Sequence, residues 1–89
     1  MIKGVTSTGF EFEVDETKLK DMRMLRLISK CEKGDGSAFL EALPRFLGED
    51  QEDALYSHLE KLNGVATPED TGREFGEIVK KAGENLKNS

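Results

Sequence analysis

Reactive side chains need partners, and this sequence gives its reactive residues few. Cys31 and His58 are the one cysteine and the one histidine. No Cys–His motif joins them, so the spacing writes no nucleophile–base pair. A lone thiol forms no internal disulfide and reads as a small apolar side chain. His58 sits beside the Leu55/Leu59 stripe and reads as a surface or boundary residue. Acids cluster at Glu49, Asp50, Glu52 and Asp53. They lack the spacing and the glycine of a calcium loop, and at the start of a helix they complement its dipole. Gly34-Asp35-Gly36 has no phosphate-loop lysine and no strand before it, so it reads as a turn. The residue types point away from catalysis. No metal or other cofactor is expected, and a small metal-binding enzyme is the least supported function class.

The elements that would carry a site come from a short chain. Its 89 residues support one domain with one modest core. Hydrophobic residues make up 36% and charged residues 35%, with five Phe, one Tyr and no Trp, so Phe must do most of the bulky packing. The net charge is −5, and the basic residues are scattered among acids. That pattern argues against nucleic acid or an anionic membrane as the main partner, because phosphate neutralisation needs clustered Lys and Arg. No window approaches the ~18 apolar residues of a membrane span. The first nine residues lack the apolar segment of a signal peptide. A soluble intracellular protein is expected.

Residues 1–14 read as extended. Phe10, Phe12 and Val14 alternate with Glu11 and Glu13, the period-two signal of a half-buried strand. Ile2–Val5 is its candidate hairpin partner. Two strands alone are marginal, so this unit must pack on helices. Asp15 is the expected N-cap of a helix running to Glu32 or Lys33. Ser37 is the expected cap of the next, in which Pro44 predicts a kink or a division into two pieces before Gly48. Asp50 opens a third helix with Leu55, Leu59 and Leu62 in a stripe, and Asn63-Gly64 stops it. Thr67-Pro68-Glu69-Asp70 combines a cap, a first-turn proline and a capping-box acid. The last helix places Phe75, Ile78, Val79, Ala82 and Leu86 on one face. Gly72, Gly76 and Gly83 share a side of it, which suits either close backbone approach or weak positions that are tolerated. The chain is expected to fray over residues 84–89. The fold class is mostly α (α+β): a short N-terminal hairpin or strand (1–14) on about four helices (15–86), in one domain over 1–89.

The first helix has too much apolar surface for one face. At about 100° per residue, Leu19, Met22 and Leu25 fall on one side, and Met24, Leu27, Ile28 and Cys31 on another. Arg23, Arg26 and Lys30 fill one seam between them; Asp21 and Glu32 fill the other. Two readings fit. The helix is central and buried on both faces, or one face meets another chain. Methionine suits an adaptable binding surface. Met22, Met24, Leu25, Leu27, Ile28 and Cys31 are the candidate partner-binding residues.

The order of these elements resembles a known family. A Phe-Glu-Phe-Glu-Val strand (residues 10–14) leads into the Asp15–Leu27 segment, then Glu32-Lys33-Gly34-Asp35. The Leu43–Leu59 segment follows, and Asn63–Asp70 opens the last helix. This is similar to the small tail assembly chaperones of long-tailed (siphovirus) bacteriophages and prophages, over roughly Phe10 to Lys80. Relatives often carry Pro after Gly-Asp, where this chain has Gly36. The resemblance implies a non-catalytic protein that binds the tape measure protein in the host bacterial cytoplasm. Its client is kept soluble while the tube assembles, and the chaperone is absent from the mature virion. It also implies a longer form made by ribosomal frameshifting, which reaches the tail tube protein; this chain would be the shorter form. Leu86-Lys87-Asn88 and Val79-Lys80-Lys81 are compatible with slippery codons. Homo-oligomerisation is expected. The competing reading is a small acidic adaptor or regulatory protein that binds a host or phage protein.

Overall fold

Phe10, Phe12 and Val14 alternate with Glu11 and Glu13 because one side of their strand is covered. The computed structural model describes residues 1–87. In it β1 (Ile2–Val5) and β2 (Glu11–Val14) form an antiparallel hairpin with Ile2 opposite Val14 and Gly4 opposite Phe12. Ile2, Phe10, Phe12 and Val14 are buried, and Glu11 and Glu13 face out. Gly4 is required where it stands: a Cβ there would lie 2.5 Å from Phe12 Cζ, inside van der Waals contact. Four helices follow: α1 (Met22–Glu32), α2 (Gly36–Leu47), α3 (Glu49–Asn63) and α4 (Pro68–Lys87). The hairpin lies with β1 against α4 and β2 against α2; α2 packs on α1 and α3, and α3 on α4. The core joins the hairpin's buried face to Met24, Leu43, Phe46, Leu55, Leu59, Phe75 and Ile78.

The helix boundaries show which local signals win. Where the sequence predicts one helix from Asp15, the chain makes a single 3-10 turn (Glu16–Leu19) capped by Asp15, then restarts. Asp21 caps the restart by accepting from the Arg23 N–H at 3.0 Å. Its second oxygen accepts from the Arg45 guanidinium of α2 at 3.1 Å. That cross-helix bond fixes Asp21 as the cap, which local sequence cannot foretell. Asp35, and not Ser37, caps α2 through the Ala38 N–H.

Pro44 does not divide α2, which is one helix from Gly36 to Leu47. Pro44 leaves one carbonyl of the preceding turn without its bond. Leu43, Phe46 and Leu47 are nonetheless buried around it, and burial of that size outweighs one backbone bond. Gly48, at φ +83°, both ends α2 and opens α3, so α3 starts at Glu49, one residue before the expected Asp50. Gly64 ends α3 in the left-handed region, and Thr67 caps α4 through the Asp70 N–H at 3.1 Å. The Asp70 carboxylate is held by Arg73 and Asn63. α4 stays helical through Lys87, past the expected onset of fraying; Asn88 and Ser89 lie outside the described residues.

Candidate partner-binding site

The six candidate residues on α1 separate into three groups. Met24 is fully buried in the core and cannot meet a partner in the folded chain. That corrects its place in the candidate set, and the reason is geometric: α1 lies against α2, with Met24 in the cluster that holds Leu43 and Phe46. Leu27, Ile28 and Cys31 are half-buried against the same core. Met22 (74% exposed) and Leu25 (38% exposed) lie on the outer side. The inner face is therefore the Met24 face. The helix is not sandwiched, and its outer face is covered by nothing within the described chain.

Ile28 and Cys31 have a second role. They form one wall of an open groove of about 400 Å³. Phe39 of α2 and Pro68, Phe75 and Val79 of α4 form the rest of its apolar lining, and Gly72 and Gly76 leave bare backbone on the α4 side. Phe75 is fixed edge-to-face between two rings, with centroids 6.0 Å from Phe39 and 5.7 Å from Phe46. The floor is thus rigid and aromatic. A Cβ built on Gly72 or Gly76 would meet no described atom within 4 Å. The glycines are therefore not needed for packing inside this chain, though each weakens a helix by ~1 kcal/mol against Ala. A second apolar hollow of about 370 Å³, bounded by Leu40, Leu43, Tyr56 and Ala66, shares Gly36, Phe39 and Pro68 with the first. The two hollows adjoin at these shared residues, and Leu40 beside them is 65% exposed.

Charge at the groove is confined to its edge at Glu32 and Asp35. Burial pushes the Cys31 thiol up, and the nearby Asp35 charge adds to that. At neutral pH Cys31 is a protonated apolar wall and a poor nucleophile. Tyr56 donates to Glu52 Oε2 at 2.8 Å. Desolvation and that acceptor push its phenol up to about 12.

Sequence reasoning missed one polar cluster. Glu74 is fully buried on α4. Its Oε1 accepts from the Thr6 and Thr8 hydroxyls, both at 2.8 Å. Thr8 Oγ1 lies 3.0 Å from His58 Nε2. Glu74 Oε2 is buried with no hydrogen-bond partner among the described residues. One turn further along α4, Glu77 accepts from the Ser7 N–H at 2.7 Å and the Ser7 hydroxyl at 3.0 Å. The hairpin turn is clamped to α4 by two carboxylates. No sequence signal marks Glu74, because an acid on a helix ordinarily faces water. Among the described residues no group of three or more His, Cys, Asp or Glu side chains is placed to hold a metal ion. No described helix is long and apolar enough to cross a membrane.

No protein-family model matches the chain, and no curated protein or solved structure matches it at a significant level.

Proposed function

We propose that this chain is a tail assembly chaperone of a long-tailed phage or prophage, acting by non-catalytic binding of the tape measure protein in the host bacterial cytoplasm. The observation that carries this reading is the apolar groove with a glycine-bare wall. Gly72 and Gly76 are one turn apart, are not needed for internal packing, and let another backbone come close. An aromatic floor with one bare helical wall suits the apolar face of an amphipathic helix, the helix-in-groove mode of recognition. A long helical client offers many such segments. The high charge content keeps the complex in solution while the groove is occupied. The tail tube protein is a second partner, reached through a frameshifted longer form, and the chaperone is left behind when the virion is complete.

The test is co-expression with the product of the long open reading frame just downstream, followed by affinity purification of this chain. A large, otherwise insoluble partner should come down in soluble form with several copies of this protein. A partner that stays insoluble while this chain purifies alone would overturn the proposal. One observation favours the competing adaptor reading. The exposed residues of α3 include Glu49, Asp50, Asp53 and Glu60, a concentration of acids on one helix. That reading requires tight, salt-sensitive binding to a basic protein.

A further inference from the structure

The groove over Phe39 and Phe75 carries charge of one sign. Glu32 and Asp35 stand at its edge, both exposed. Among the described residues no Lys, Arg or His lines it. The ion pairs among those residues are Met1–Glu16, Arg45–Asp21 and Arg73–Asp70, and none uses either acid. Asp35 caps α2 by accepting from the Ala38 N–H at 3.1 Å, a bond that leaves its charge in place. The field reaches the apolar wall: after burial, Asp35 and Glu32 also raise the Cys31 thiol. The α4 wall is of another kind. Gly72 and Gly76 are one turn apart, and a Cβ on either would meet no described atom within 4 Å. The groove thus has an acidic edge, an aromatic floor and a wall without side chains.

We propose, resting on the helix-in-groove reading of this site, that its occupant is an amphipathic helix with small residues in its middle and a cation at one end. Ala, Gly or Ser four residues apart face Gly72 and Gly76, because only small side chains let a second helix come close to bare backbone. A large apolar side chain beside them covers Phe39 and Phe75, where burial is rewarded. A Lys or Arg at the end of the segment reaches Glu32 and Asp35. An acid at that place is repelled, so charge selects the segment and sets its direction. Amphipathic segments that lack the cation, or that carry bulky residues against α4, bind less well.

The test is fluorescence anisotropy of the full chain with labelled helical peptides of about 20 residues, in low salt, and it needs no client. The reference peptide carries two Ala four residues apart, Leu beside them, two Arg at one end and Gln elsewhere. It should bind the wild type and lose binding to folded Gly76→Leu. Replacing its Arg with Glu should weaken binding by about tenfold. The double variant Glu32→Lys, Asp35→Asn should reverse that preference, and Asn keeps the cap of α2. A Pro in the middle of the peptide, or Leu in place of both Ala, should also weaken binding. Binding that ignores the sign of the peptide's end overturns the proposal, as does equal binding of the Pro or Leu peptide. A reference peptide that fails to bind the wild type overturns it too; if Gly76→Leu then also lowers the mass in solution, the occupant is a second copy of this chain. The peptide series uses the wild type, so a misfolded variant leaves it decisive. Client recovery in co-purification is read separately. Recovery without the peptide preference overturns this rule of recognition and leaves the chaperone reading standing. The peptide preference without recovery supports the rule and overturns the chaperone reading.

Discussion

One side of α4 carries Glu74 and Glu77, which take hydrogen bonds from Thr6, Ser7 and Thr8 of the hairpin turn. Another side, about a third of a turn away or more, carries Gly72 and Gly76, whose missing side chains would meet nothing. Between them runs the buried stripe of Phe75, Ile78 and Ala82. A single helix is thus closed by long-range polar bonds on one flank and left bare on the other. The bonded flank is built for the fold, since its acid partners come from the opposite end of the chain. The bare flank adds nothing to the fold and lowers helix stability, which is what a surface kept for another molecule looks like.

The largest test of this contrast uses α1, where inner and outer positions carry the same residue type. Met24→Asp puts a charge into the core and should abolish the cooperative unfolding transition and the helical circular dichroism signal, because unpaired burial exceeds the few kcal/mol that hold such a domain. Met22→Asp, two residues away and exposed, should leave stability within about 0.5 kcal/mol. Equal outcomes would erase the distinction between the two faces.

Next in size is the closed flank. Glu74→Ala strands two threonine hydroxyls and leaves a void, and should lower unfolding stability by about 2–4 kcal/mol in a denaturant titration. Glu74→Gln keeps one acceptor and should fall between. A loss within error for Glu74→Ala would show that the clamp does not hold the hairpin.

The open flank should respond with the opposite sign. Gly72→Ala and Gly76→Ala should each raise stability by about 1 kcal/mol, since the helix gains propensity and the new methyl meets open space. Gly4→Ala should destabilise, because its methyl would strike the Phe12 ring. Destabilisation at Gly72 or Gly76 would mean that the flank is not free.

The smallest effects are pH-dependent. Tyr56 is the only tyrosine, so its ionisation can be followed by absorbance. The folded chain should titrate near about 12 and the unfolded chain near 10. Between those values the unfolded chain has lost the proton and the folded chain keeps it, so stability falls as pH rises through that window. At the acid end, the Arg45 hydrogen bond lowers the Asp21 carboxyl, and the Arg73 hydrogen bond lowers Asp70. Their contribution is present above the ordinary value of 3.8 and is lost as pH falls below it. Asp21→Asn should flatten the acid limb of the stability curve.

Much of the fold was legible because the signals were local. The Phe–Glu alternation gave β2, Gly64 gave the end of α3, and Thr67-Pro68 gave the start of α4. Each depends on residues within one turn of one another. The restart at Asp21 was not legible, since Asp15 and Asp21 are equally good caps, and the choice is made by Arg45 from another helix. The two apolar sides of α1 were visible, but which one is buried depends on where α2 lies. The groove is half legible: the sequence marks Ile28 and Cys31 as apolar on α1 and sets Gly72 and Gly76 on one side of α4, but only packing brings them to one cleft. Glu74 could not be found, as its partners Thr6 and Thr8 are 68 and 66 residues away.

The most direct measurement of the central claim is co-purification of the proposed tape measure client with wild type and with Gly76→Leu. The leucine enters open space on an exposed helical position, so the fold should stand, checked by circular dichroism and melting. It also fills the groove. The account predicts that the wild type brings the client down in soluble form and that folded Gly76→Leu loses it. Equal recovery of client by folded Gly76→Leu would contradict the claim that the bare flank of α4 is the binding surface.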